Sequence, residues 1–289
     1  MNAVDNFLLW CELNDEEDTG DPEDFDLLVC TYVQHLYDTM GSESEAKRLR
    51  SALVFLHPSL RNQLGLTDRA LLGWQRLEPA RSWPPITYGL AVAAASALWM
   101  TGDYSHAAAI LLAFECYLRN SETCNLRICD IALPGDPRLG SRSTLAAIAL
   151  QKTKTGDKQW VTIRDPLVIH VLRYFISGPP TGKLFPGISP ASFRRKLRYG
   201  LWLIGFEHSP YVVHSLRHGG AVRDYLYTPM TLEDVLRRGR WRSVATTRRY
   251  LQTTRSILLD VHIPEEAARA SVYLEQERFN TFSAPHLHN

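Results

Sequence analysis

The sequence predicts a mainly α protein with a small β-sheet, an α+β chain folded as two domains. Three observations lead there. Helical apolar spacing recurs along most of the chain, two short runs alone are β-prone, and Pro84-Pro85 separates a first group of helices from the rest. At 289 residues the chain exceeds the usual size of one core. The division gives a helical domain of 1–84 with an acidic N-terminal arm. A larger domain, 85–289, ends in a C-terminal tail.

Residues 1–25 are polar and acidic, and Asn14 to Glu23 reads as a loop or arm. Leu27 to Met40 has helical apolar spacing and stops before Gly41. Ser42 caps a second helix running to about Leu56. Pro58 opens a short one, and Thr67-Asp68 caps another that carries Ala70, Leu71, Leu72 and Trp74. Beyond the linker Arg81 to Ile86, helices are expected at 87–100 and 103–117, and a short one from Ser121 to Leu126. Ala146–Leu150 and Trp160–Ile163 read as a β-hairpin whose loop is longer than the tightest turns. Helices return at 165–176, 190–204, 213–227, 231–238 and 243–252, and the tail holds one around Glu265–Glu277. No internal repeat or low-complexity segment interrupts this pattern.

Composition narrows the class. Hydrophobic content of 45% with 22% charged residues is ordinary for a soluble chain. No uncharged apolar run reaches 18 residues; Tyr88 to Phe114 is broken by Thr101-Gly-Asp103 and His106, so no membrane span is expected. The acidic N-terminus is unlike a signal or transit peptide. Five cysteines without CxxC spacing fit a reducing, intracellular compartment. The net charge of +1 hides an asymmetry. Residues 1–45 hold 13 acidic residues and no Lys or Arg, leaving 32 basic against 18 acidic over 46–289. Arg194 to Arg255 alone contains 13 basic residues and 4 acidic ones, the footprint that a phosphate backbone asks for. Arg194, Arg195, Lys196, Arg237, Arg238, Arg240, Arg242, Arg248 and Arg249 are therefore candidate phosphate contacts with double-stranded DNA.

Within that basic region stand His214-Ser-Leu-Arg217, Gly239-Arg-Trp241 and Tyr250, with Arg119 and Gln151-Lys-Thr-Lys154 upstream. His214 and Arg217 lie three apart, on one helical face. Together these residues supply what phosphodiester cleavage needs. Planar guanidiniums stabilise charge on the non-bridging oxygens. A phenol attacks and conserves the bond as a reversible phosphotyrosine. A lysine can protonate the basic 5′ hydroxyl as it leaves. No metal or nucleotide cofactor is required by this chemistry. His214 and His218 lack the intervening Glu of a zinc-type pair, and Arg217 beside them would repel a cation, so no metal site is expected.

The strings HSLRHGGAVRD and RGRWRSVATTRRYLQ, and Leu118 to Ile131 with its closing Leu-Arg-x-x-Asp, resemble the tyrosine recombinases of the phage-integrase family. The GGAVRD and GRW wording is similar to recombinases of eukaryotic mobile elements. The resemblance covers about residues 85–260 and implies a tyrosine-recombinase catalytic domain for the larger part. By position and size, the helical domain matches that family's core-binding domain, which clamps DNA. The resemblance implies that Arg119 and Arg217 hold the scissile phosphate and that His214 assists proton transfer and phosphate binding. Trp241 stands where most members have a second histidine and can donate one hydrogen bond. Tyr250 would be the nucleophile and Glu122 a supporting acid that orients an arginine or histidine. Lys154 fits the family's hairpin lysine, with Lys152 and Lys158 as rivals. Tyr117, in place of a small residue, and Asn120, in place of an apolar one, depart from the pattern.

The implied function is site-specific DNA cleavage and rejoining through a 3′-phosphotyrosyl link, by a homotetramer on DNA whose tails dock onto neighbouring protomers. A type IB topoisomerase-like enzyme would share the chemistry without site preference. A domesticated DNA-binding protein with a dead site is the non-enzymatic alternative. Residence would be nuclear in a eukaryote and otherwise cytoplasmic or nucleoid.

Overall fold

Asn2 opens α1 (Ala3–Leu13) by accepting from the Val4 and Asp5 backbone amides, while Asp5 accepts from the Asn2 amide. This helix was not expected, because the segment reads as polar and acidic; Phe7 is its one fully buried residue, and Ala3, Val4, Trp10 and Cys11 pack against the same core. The computed structural model describes residues 2–77, 83–140, 143–153, 156–241 and 262–283, with backbone alone at 152, 153 and 156–158. The chain divides into two units, residues 1–82 and 83–289.

In the first unit α2 (Pro22–Asp38) starts five residues earlier than its apolar run, because Asp21 caps it and Pro22 presets the first turn. Val29, Tyr32, Val33 and Leu36 are its buried stripe. Then come α3 (Glu43–Leu56), a 3₁₀ turn (Pro58–Asn62) and α4 (Gly65–Leu77). The expected Thr67-Asp68 cap is corrected here. Thr67 lies inside α4, and the cap comes from α2, where the buried Asp26 carboxylate accepts from the Leu66 and Thr67 amides at 2.7 and 3.0 Å. A carboxylate 40 residues away leaves no local signature. Phe7, Val29, Leu49, Leu71 and Trp74 meet in this unit's core.

The second unit is built on α5 (Tyr88–Met100) and α6 (Tyr104–Glu115), both apolar on nearly every side and buried accordingly. After α7 (Asn120–Asn125) comes an antiparallel sheet in the order β1 (Ile131–Ala132), β2 (Ala146–Thr153), β3 (Gly156–Ile163). The hairpin is tighter than expected: β2 and β3 stay paired to Thr153↔Gly156, so just two residues separate the strands. Next follow α8 (Pro166–Leu172), α9 (Pro190–Leu203), α10 (Val213–Tyr227) and α11 (Leu232–Gly239). α8 ends short of the expected 176. The helix expected at 243–252 lies outside the described residues.

α10 passes over α6 where its Gly219 and Gly220 face backbone; a Cβ at either would overlap the Ile86 or Phe114 carbonyl. At the N-terminus of α9, His106 joins Asp103 (2.7 Å) to Ser192 (3.1 Å). The tail forms α12 (Glu265–Gln276) and α13 (Arg278–Thr281), and α12 lies along α5 of its own unit. Ala267 and Phe282 are fully buried in that core, with the Phe282 ring 5.2 Å from Trp99 and its carbonyl accepting from His170 Nε2 at 3.1 Å. No helix among the described residues is long and apolar enough to cross a membrane.

Candidate active site

The loop after α6 and the two helices α10 and α11 bring distant residues to one place. Arg119 precedes α7, and Glu122, one turn on, accepts from both its backbone amide (2.8 Å) and its guanidinium (2.6 Å). The same carboxylate accepts from the buried Arg240 at 2.8 Å. Burial alone would raise the Glu122 pKa, yet Arg240 and the Arg119 contacts outweigh it and hold the carboxyl below its ordinary range.

α10 carries His214 in its first turn and Arg217 three residues later. Arg217 is 1% exposed. Its guanidinium donates to the carbonyls of Tyr117 and Gly239, and its Cζ stands 4.7 Å from the Trp241 ring centroid, a cation–π distance. Gly239 is needed because a Cβ there would overlap the Trp241 ring. The His214 ring meets that of His218 edge to face at 4.2 Å. His214 keeps an exposed surface. Desolvation, then the charges of Arg217 and Arg119, lower its pKa, so the imidazole is neutral at pH 7 and able to accept a proton. His218, deeper and donating to the Trp83 carbonyl, is pushed down to about 3 by burial and by its neighbours' charge.

Of the six residues proposed for the chemistry, Arg119, His214, Arg217 and Trp241 are thus gathered. Lys154 and Tyr250 lie outside the described residues, as do Arg242, Arg248 and Arg249. The rivals Lys152 and Lys158 sit on β2 and β3, described by backbone alone. Among the described residues no group of His, Cys, Asp and Glu could hold a metal ion.

Arg194, Arg195 and Arg237 are exposed, whereas Lys196 is ion-paired with Asp103. Two of the expected phosphate contacts are corrected. Arg238 and Arg240 point inward with side chains 6% and 4% exposed. Arg238 pairs with Glu115 and Asp224, and Arg240 with Glu122. Arg238 in the last turn of α11 and Arg240 just past it are aimed by packing at acids on α6, α7 and α10, and a run of arginines in sequence cannot show that. Sequence reading also passed over Tyr117 and Glu115. Neither carries a motif; the sole hint is that Tyr117 occupies a position expected to be small.

No family model and no curated protein matches the chain. Among solved structures it is similar to XerH site-specific recombinase bound to palindromic difH substrate in a post-cleavage complex. The two share 15% identity and a TM-score of 0.55, covering 83% of this chain and 71% of that one. It is also similar to a lambda integrase dimer bound to a COC′ core site, at 15% identity and a TM-score of 0.54. That match covers 78% of this chain and 64% of the other, so the chain spans less than two thirds of that relative's length. These likenesses define the class of fold. The chain is built on the mostly helical fold, with its small antiparallel sheet, that these integrase and recombinase structures share.

Proposed function

We propose that this protein is a site-specific DNA recombinase that cuts and rejoins strands with Tyr250 as nucleophile. The observation that carries the reading is the gathering of Arg119, His214, Arg217 and Trp241 at one spot, although Arg119 precedes His214 by 95 residues and Trp241 by 122. The Tyr250 oxygen attacks phosphorus and passes its proton toward the neutral His214. Negative charge building on the non-bridging oxygens is met by Arg119, Arg217 and the Trp241 N–H. The bond to the 5′ oxygen breaks, Lys154 supplies the proton that oxygen needs, and a 3′-phosphotyrosyl link remains. Attack by a 5′ hydroxyl of the partner strand reverses each step. Exposed Arg194, Arg195 and Arg237 supply backbone contacts to duplex DNA, with Arg242, Arg248 and Arg249. The unit of residues 1–82 acts as a DNA-clamping domain. Assembly is a homotetramer on DNA, and any exchange of tails requires α12 and α13 to leave α5 of their own chain.

The test is a nicked suicide substrate drawn from a library of inverted repeats. A covalent protein–DNA adduct is expected from the natural chain and none from Tyr250→Phe. An adduct that persists in Tyr250→Phe removes the nucleophile assignment, and no adduct from the natural chain on any member overturns the reading.

A further inference from the structure

Tyr117 joins the elements of the candidate site although no catalytic motif contains it. It is 1% exposed and adopts φ +49°, a left-handed backbone conformation that non-glycine residues rarely enter. That turn aims its carbonyl at two guanidiniums, those of Arg217 and Arg240, the second at 3.1 Å. Its ring stacks on Trp241 with centroids 6.1 Å apart and planes 27° from parallel. The ring edge rests on Gly220, where a Cβ would come within 2.7 Å of it. Its hydroxyl donates to Asp224, two turns along the helix that carries Arg217. One side chain and its carbonyl therefore reach α10 in three places and meet Arg238, Arg240 and Trp241 at the end of α11 and just past it, the Arg238 guanidinium lying 5.3 Å from the ring centroid.

We propose that Tyr117 is a positioning residue for phosphodiester cleavage: its carbonyl sets the Arg217 guanidinium, and its ring sets the Trp241 indole. The Asp224 anchor keeps the ring from tilting. A small residue at this point would leave the indole without a platform. The catalytic consequence rests on the recombinase reading, whereas the geometric claim stands without it.

Full-length protein labelled with 5-fluorotryptophan gives seven fluorine signals, one per tryptophan, and Trp241→Phe assigns the relevant one. Tyr117→Leu is expected to move that signal and leave that of Trp99, packed among Tyr104, Tyr174 and Phe282, unchanged; Tyr117→Phe, which keeps the ring, moves it less. Adduct formation in a single turnover should fall about 100-fold in Tyr117→Leu with DNA affinity retained, the scale expected for a misplaced catalytic group. Adding Trp241→Phe should cause little further loss, since both changes disturb one unit. Where Tyr117→Leu fails to fold, Tyr117→Met, which is similarly apolar and more adaptable, takes its place. An unmoved Trp241 signal, a movement of all seven, an unchanged rate, or additive losses would each overturn the proposal. If the natural chain forms no adduct, the recombinase reading falls and takes the catalytic part with it. The fluorine signals still decide the geometry.

Discussion

Arg238 Nη2 lies 2.7 Å from Glu115 Oε1, both side chains being 6% exposed, so α11 is fastened to the end of α6 by a buried ion pair. Arg238 also donates to the Glu115 carbonyl and, through Nη1, to that of Thr162 on β3. Burial raises the Glu115 pKa, and Arg238 opposes that rise. Removing one partner strands the other's charge. Glu115→Ala should therefore lower stability by about 3–5 kcal/mol. Denaturant unfolding checks this, and a loss under 1 kcal/mol would show that the pair is dispensable.

Adjacent arginines should behave differently. Arg237 is exposed and Arg238 is internal. Arg237→Ala is expected to weaken DNA binding and to reduce the slope of log K against log salt by about one. Arg238→Ala should lower the unfolding midpoint and leave that slope alone. Binding titrations across a salt series separate the two, and equal slope changes would contradict the inward placement of Arg238.

His218 gives the fold an acid sensitivity. Its pKa is down from 6.5 to about 3, mainly by burial, so the unfolded chain binds more protons than the folded one between those values. The contribution to stability is complete above pH 6.5 and is lost as pH falls toward 3, at roughly 1.4 kcal/mol per pH unit. His214, also lowered, acts in the same direction. Melting curves from pH 7.5 to 5.5 should fall more steeply for the natural chain than for His218→Gln. Parallel curves would refute this account.

Gly220 is a packing requirement. A Cβ there would overlap the Phe114 carbonyl and approach the Tyr117 ring atoms at 2.7 and 2.9 Å. Backbone cannot yield as a side-chain tip can, so Gly220→Ala should cost at least about 1–3 kcal/mol. It should also slow any strand cleavage by shifting Arg217 on the same helix. A variant as stable as the natural chain would mean that α10 and α6 can separate freely.

The helices from Tyr88 to Glu115, the span of α10 and the place of the hairpin could be read from the chain because each rests on local periodicity and turn residues. α1 escaped because its apolar face of Val4, Phe7, Trp10 and Cys11 is short and lies in an acidic segment, and the α4 cap escaped because Asp26 is supplied from another helix. The same divide runs through the candidate site. Residue types at a fixed spacing named Arg119, His214, Arg217 and Trp241, since a motif is a property of contiguous chain.

The sequence by itself determined the fold class and a set of groups suited to phosphate chemistry. Tertiary structure decided which arginines in one basic run face water and which are internal struts, and that Tyr117 supplies the carbonyl and ring between them. The reason is physical. Burial and partner choice depend on which backbone approaches closely enough, at Gly219, Gly220 and Gly239, and such approaches join positions far apart in the chain.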